Sequence, residues 1–272
     1  MKGILFNKEQ EIKPQAKIKD FLNKFFCGDV LDVVSKIPDN TIHMVITSPP
    51  YNVGINYDNH DDTLNYKDYL DWQSEVWRKI YEKLVKGGRV ALNIAPTSIK
   101  DFKPVHHDLS VRLRKIGYIM RTEIIWYKQN MTAKRTAWGS WKSPSNPHII
   151  PSWEYVMVFC KESWNLVGDK DKIDITRDEF IKFSDGFWEI APESKDVGHP
   201  VPFPEELIYR LVKFYTYRGN IVLDPFGGSG TVAIVAYRTN RNFIYIDISE
   251  KYCKIAQERL EAERQVLPLW HS

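Results

Sequence analysis

The sequence has little cysteine, little net charge and no long apolar run. Its three cysteines, Cys27, Cys160 and Cys253, are far apart and form no Cys-x-x-Cys pair. That argues against a disulfide framework or a zinc site and for small buried hydrophobes in a reducing compartment. No window approaches the roughly 20 apolar residues of a membrane span. The opening segment Met1 to Lys8 holds no sustained apolar stretch, so no leader is expected and the reading is a cytoplasmic protein without membrane contact. The formal charge is only +3. Such a balance permits nucleic-acid binding without demanding it, because a binding face needs local rather than net positive charge. Internal repeats and low-complexity tracts are also missing.

What is present fits a soluble globular protein. Of 272 residues, 43% are hydrophobic and 27% charged, enough to bury a sizeable core without staples. Aromatics reach 13%, with nine Trp, which suits either a large core or stacking on bases.

Short apolar runs alternate with amphipathic helical stretches, the pattern of an α/β fold with a mostly parallel sheet. His43 to Thr47 reads as a buried strand ending in a Ser-Pro-Pro loop, since proline cannot continue a ladder. Tyr66 to Lys86 reads as a helix with Tyr69, Val76, Trp77, Ile80 and Leu84 near one face, and Gly87-Gly88 as its stop. Further strands are expected at Arg89 to Ile94, Tyr118 to Tyr127, Glu154 to Cys160 and Asn242 to Ile248. Helices are expected at Pro204 to Tyr217 and Glu250 to Arg264, and a strand–loop–helix unit at Ile221 to Arg238.

That unit carries Asp224-Pro225-Phe226-Gly227-Gly228-Ser229-Gly230-Thr231 between a β-branched run and an apolar helix. Glycines allow close backbone approach, and a helix N-terminus offers unpaired N–H groups. The next strand ends in Asp247, an acid suited to ribose hydroxyls. Together they point to a nucleoside-cofactor site. The loop lacks the Gly-x-Gly-x-x-Gly spacing of a pyrophosphate cradle and no Walker lysine follows.

The segment Thr47-Ser48-Pro49-Pro50-Tyr51 together with the Asp224–Thr231 loop resembles the amino-group DNA methyltransferases, and the order of the two segments resembles the β class. The likeness spans almost the whole chain. It implies one catalytic domain over residues 1–272. The implied fold is Rossmann-like, a mostly parallel seven-stranded sheet with helices on both faces and a circularly permuted motif order. The implied methyl donor is S-adenosyl-L-methionine (SAM), and no metal is expected. Asp29, in Cys27-Gly28-Asp29, resembles the residue that reaches the adenine ring of the donor. Trp153-Glu154-Tyr155 resembles a late catalytic-domain motif. Gly198 to Pro204, with Pro202 and Phe203, resembles the segment lining the methionine end of the pocket. Asp224, Phe226, Gly228, Ser229, Gly230, Thr231 and Asp247 complete the implied cofactor set.

The chemistry suits the Ser48-Pro49-Pro50-Tyr51 loop. An exocyclic amino group is a poor nucleophile, because its lone pair is delocalised into the ring. Ser48 Oγ and the Pro49 carbonyl would accept its two N–H bonds, and Tyr51 would stack on the base through its face. The base must leave the duplex, at a cost of a few kcal/mol. Methylation at cytosine C5 is excluded, because it needs a cysteine nucleophile, usually after a proline, and none of the three cysteines follows one. A Ser-Pro-Pro-Tyr form is usual among cytosine-N4 members of the family and Asp-Pro-Pro-Tyr among adenine-N6 members, so the resemblance points to cytosine N4 with adenine N6 as the alternative. The expected partners are double-stranded DNA and a companion restriction endonuclease acting on the same site, with monomer or homodimer left open. Residues 128–152 form a Pro/Ser/Asn-rich loop whose Lys128, Lys134, Arg135, Trp138, Trp141 and Lys142 suit contact with DNA. Residues 164–199, charged and irregular, are the candidate target-recognition insert.

Overall fold

A computed structural model describes residues 17–51, 64–95, 102–128, 139–149, 151–193 and 202–266. Eight strands form one sheet: β1 (Lys24–Cys27), β2 (Ile42–Thr47), β3 (Leu84–Ile94), β4 (Tyr118–Tyr127), β5 (Trp153–Lys161), β6 (Phe187–Glu189), β7 (Ile221–Asp224) and β8 (Asn242–Asp247). Their order is β1-β8-β7-β2-β3-β5-β4-β6. Strand β5 runs antiparallel to β3 and β4, and every other pairing is parallel.

The described helices are α1 (Val30–Lys36), α2 (Tyr66–Lys83), α3 (Val105–Ile116), α4 (Arg177–Phe183), α5 (Glu205–Tyr215), α6 (Thr231–Arg238) and α7 (Glu250–Val266). They divide between the two faces, as the alternation of side chains along each strand requires. Val45, Val90, Leu92 and Leu223 join Val33, Trp77, Ile80 and Leu109 of α1–α3 in one core. Met44, Ile46, Ala91 and Val222 join Leu207, Leu211, Ile234 and Ala256 of α5–α7 in the other. Among the described residues no helix is long and apolar enough to cross a membrane.

Two expectations need correcting. Among the described residues the sheet has eight strands rather than seven, because Phe187–Glu189 adds a short edge strand beside β4. Three residues are too few to show a period of two. In addition, α2 stops at Lys83, and Leu84 opens β3 rather than closing the helix. Gly87 and Gly88 therefore lie inside a strand. Between Ile42 and Met44 the β2–β3 register shifts, so that Ile42 faces Leu84 and Met44 faces Arg89. Gly87 absorbs the resulting bulge at φ 75°, a conformation that glycine adopts without penalty.

Candidate active site

The parallel strands bring their C-terminal ends to one edge of the sheet, and the start of antiparallel β5 joins them there. Ligands in open α/β sheets bind at such an edge. A cavity of about 400 Å3 opens at this edge, within the size range of small-ligand sites. Gly28 and Asp29 enter it after β1, Ser48, Pro50 and Tyr51 after β2, and Asn93 and Ala95 from the end of β3. Trp126 comes from β4 and Lys128 from just beyond it, Glu154 from β5, Pro225 to Ser229 from the loop after β7, and Asp247, Ile248 and Ser249 from the end of β8 and the turn that follows. Pro202 and Phe203 close one wall, with Trp72 of α2 and Tyr252 of α7.

One end of the cavity is built by the Gly-rich loop. Asp247 Oδ2 accepts the Gly228 N–H at 2.8 Å and Oδ1 the Ser249 N–H at 2.8 Å, so the acid first shapes two backbone turns. Burial raises its pKa above the ordinary carboxylate value, against the lowering effect of those N–H bonds. Asp29 caps α1, its Oδ1 accepting from Leu31 N at 2.8 Å and Asp32 N at 3.4 Å. The glycines answer partly to protein packing. A Cβ on Gly227 would lie 2.1 Å from the Tyr245 ring, and one on Gly230 would lie 2.6 Å from Ala256 Cβ. Arg259 of α7 braces the loop from behind, donating to Ser229 O at 2.6 Å and Thr231 Oγ1 at 3.3 Å. A buried acid, a tight backbone turn and the start of α6 make a donor set that fits a nucleoside cofactor.

Asp224 is buried beneath this wall and does not line it. Its Oδ1 accepts from Thr47 Oγ1 at 2.7 Å and from Phe226 N at 3.2 Å. It thereby ties the Gly-rich loop to the strand that carries Ser48. Burial pushes its carboxyl up to about 7. Gly230 and Pro49 likewise lie behind the cavity surface, whereas Phe226, Gly228, Ser229 and Thr231 line it.

The other end is a polar network. Ser48 Oγ lies 2.8 Å from Tyr51 Oη. Tyr51 Oη lies 2.9 Å from Asn93 Nδ2, 3.3 Å from Glu154 Oε2 and 3.4 Å from the Asn93 carbonyl. Asn93 Nδ2 also donates to Glu154 Oε2 at 2.6 Å, and Lys128 Nζ pairs with Glu154 Oε1. Tyr69 of α2 donates to the Pro50 carbonyl at 2.9 Å and holds the loop from below. The Tyr51 hydroxyl thus sits at the centre of this network.

Asn93 escaped the sequence reading, and Glu154 entered it only within a motif. Neither has a local signature, since each is one polar residue in an apolar strand. A buried polar residue among β-branched neighbours was the available signal. Of the expected DNA contacts, Lys128 faces this cavity rather than open solvent. Trp141 and Lys142 lie on the exposed loop with Lys142 Nζ 5.7 Å from the Trp141 ring centroid. Lys134, Arg135 and Trp138 lie outside the described residues, as do Gly198 to Val201.

Known proteins are similar to this chain in sequence and fold. The type II methyltransferase M.MjaVI of Methanocaldococcus jannaschii is 42% identical over 167 residues, which span 60% of this chain and 85% of that relative. The solved structure of a protein assigned as a DNA modification methylase from Thermus thermophilus, complexed with S-adenosyl-L-methionine, superposes with a TM-score of 0.70 at 29% identity. That match covers 88% of this chain and 95% of the other. The PvuII DNA methyltransferase, described as cytosine-N4-specific, superposes with a TM-score of 0.71 at 19% identity over 87% of this chain and 85% of its own, which shows the common fold. The sheet and its flanking helices are therefore the Rossmann-like methyltransferase fold. Residues 42–258 match the DNA methylase family of the N6/N4 class, and the chain belongs to that family.

Proposed function

We propose that this DNA methylase is a site-specific type II enzyme that methylates the exocyclic N4 of a cytosine flipped out of double-stranded DNA. The methyl donor is S-adenosyl-L-methionine. The observation that carries the reading is the opening of the Ser48–Tyr51 loop and the Gly-rich loop into one cavity, tied together by the Thr47–Asp224 bond. When bound, the donor would supply an electrophilic methyl group and leave as the neutral thioether, and the methylated amino group would shed one proton to solvent.

The chain's own residues do the rest. Ser48 Oγ accepts one amino hydrogen and draws the nitrogen toward tetrahedral geometry, which frees its lone pair; the second acceptor is the Pro49 carbonyl, which must turn into the cavity from its place behind the surface when the base enters. The neighbouring Pro50 carbonyl is already taken by Tyr69. Tyr51, Trp126 and Trp72 line the cavity with aromatic surface. Stacking of this kind returns roughly 1–3 kcal/mol per base against the cost of flipping. Holding both reactants in line supplies on the order of 7–11 kcal/mol in favourable cases.

Two features favour cytosine. Ser48 heads a Ser-Pro-Pro-Tyr loop, the form usual among cytosine-N4 members. Lys128 adds a donor to the same end of the cavity. Along the Watson–Crick edge cytosine presents two acceptors beside its amino group, N3 and O2, where adenine presents N1 and a C–H. Target readout is assigned to residues 164–199 and 128–152. Exposed Trp164, Trp141 and Lys142 support this, with Arg121 5.0 Å from the Trp164 ring centroid. A companion restriction endonuclease follows from the type II reading.

The test is to methylate DNA of known sequence, digest it to nucleosides and identify the product by mass spectrometry. N4-methylcytosine is expected. N6-methyladenine alone would overturn the base assignment and leave the family intact. Ser48→Ala should keep cofactor binding and lose on the order of 100-fold in rate, as expected for removal of one aimed hydrogen-bonding group. Full activity in that variant would take Ser48 out of the mechanism.

A further inference from the structure

We infer that Glu154 is a positioning residue that makes Ser48 a hydrogen-bond acceptor, by fixing the direction of the network between them. The inference rests on the acceptor role proposed for Ser48.

A serine hydroxyl is ambivalent, since it carries one proton and two lone pairs. To accept an amino hydrogen it must turn its own proton elsewhere. Glu154, only 10% exposed at its side chain, sits in an ion pair with Lys128 and is a carboxylate, an acceptor only. Every group touching it must therefore donate. Asn93 Nδ2 does so at 2.6 Å and Tyr51 Oη at 3.3 Å, both to Oε2. Among the described residues the other acceptors within reach of the Tyr51 proton are the Asn93 carbonyl at 3.4 Å and Ser48 Oγ itself at 2.8 Å. The full negative charge of Glu154 makes it the stronger acceptor, and it draws the phenol proton away from Ser48.

The remaining valences follow. A phenol oxygen has two lone pairs. Asn93 Nδ2, 2.9 Å away, occupies one of them, and the other meets Ser48 Oγ at 2.8 Å. With its proton committed to Glu154 or the Asn93 carbonyl, Tyr51 can only accept from Ser48. The Ser48 proton is thus turned into the protein, and its lone pairs are left for the cavity that Ser48 lines. An aspartate at this position would need no such device, because a carboxylate has no proton to misdirect.

Glu154→Gln tests this. Its amide can donate to Tyr51, which allows Tyr51 to donate to Ser48 and the Ser48 proton to face the substrate. Single-turnover methylation at saturating DNA and SAM should fall by about 100-fold, while SAM affinity and the KM for DNA change by no more than about 3-fold. Because Glu154 acts through Ser48, adding Glu154→Gln to Ser48→Ala should cost no more than about 3-fold beyond the single Ser48→Ala loss. A charge-neutralising role alone would give losses that multiply. A Glu154→Gln rate within about 3-fold of wild type, or multiplying losses, overturns the inference.

If Glu154→Gln fails to bind SAM and so has not folded, Tyr51→Phe replaces it. That variant keeps the ring face and the Glu154–Lys128–Asn93 contacts but removes the group that receives the Ser48 proton. The same loss and the same non-additivity are expected, and multiplying losses again refute the idea. An active Ser48→Ala would sink the acceptor role itself. An inactive Ser48→Ala beside an unimpaired Glu154→Gln would sink only the role of Glu154.

Discussion

Asp224 stores a pH dependence. Its carboxyl is buried and pushed from an ordinary 3.8 up to about 7. A folded-state pKa above the unfolded value means that the stabilisation is full below the unfolded value and is lost as pH rises toward the folded one. The window is therefore about pH 4 to 7, with a slope near 1.4 kcal/mol per pH unit from this one group. Asp224→Asn keeps an acceptor for Thr47 and Phe226 and cannot ionise. Urea-unfolding free energies of the two proteins at pH 5, 6, 7 and 8 should show the wild type losing stability relative to the variant up to pH 7 and running parallel to it above. Parallel curves throughout would mean that Asp224 titrates normally.

At the scale of elements, the start of β3 is a tightly packed joint. Helix α2 passes straight into the strand, and the bulge at Gly87 restores the pairing with β2. A Cβ on Gly87 would lie 2.0 Å from the carbonyl oxygen of Asn165, in backbone that cannot swing aside, and the residue stands at φ 75°. Gly87→Ala should therefore cost about 2 kcal/mol or more, read as a lower urea midpoint. A change under about 0.5 kcal/mol would show that the 163–167 segment yields freely. The same joint marks the limit of periodicity. Leu84 satisfies the apolar spacing of the helix and is also an apolar strand residue, so spacing alone could not decide between them. Longer elements with one unambiguous period were readable, and β4 occupies Tyr118–Tyr127 as expected. Strand β1 and helices α1, α3 and α4 were not foreseen. The first is four residues long and α1 and α4 seven each, too short for a period to stand out.

Across the whole molecule, residues 164–193 are bound to the catalytic core through charge. Arg241, fully buried at its side chain, holds Asp174 through Nη1 at 2.5 Å and Nη2 at 2.7 Å. Lys213 of α5 approaches the same carboxylate at 3.5 Å, and Tyr209 donates to Glu179 at 2.5 Å. Burial raises the Asp174 carboxyl, but the bonds and charges of Arg241 and Lys213 outweigh it and hold the group below the ordinary carboxylate value. Removing one partner leaves the other charge buried and alone. Asp174→Ala should therefore cost about 3–5 kcal/mol, and Asp174→Ala/Arg241→Met should recover part of that loss. Denaturant titration measures both variants, and faster hydrogen exchange across 164–193 should accompany the single one. An unchanged midpoint would mean that this segment docks through its apolar contacts alone.

By itself the sequence determined the family, the alternation of strands and helices, and the two loops that meet at the site. Each of those loops is a run of neighbouring residues whose types are set by local demands: proline to leave a sheet, glycine for tight turns, an acid at a strand tip. Only the tertiary structure decided what surrounds Ser48. Asn93 lies in β3, Glu154 in β5 and Lys128 just beyond the end of β4, and the insertion of antiparallel β5 between β3 and β4 brings them to one point. Their hydrogen bonds connect residues 26 to 103 positions apart, a separation at which no spacing rule operates. The direction in which the Ser48 proton points is a property of that assembled network.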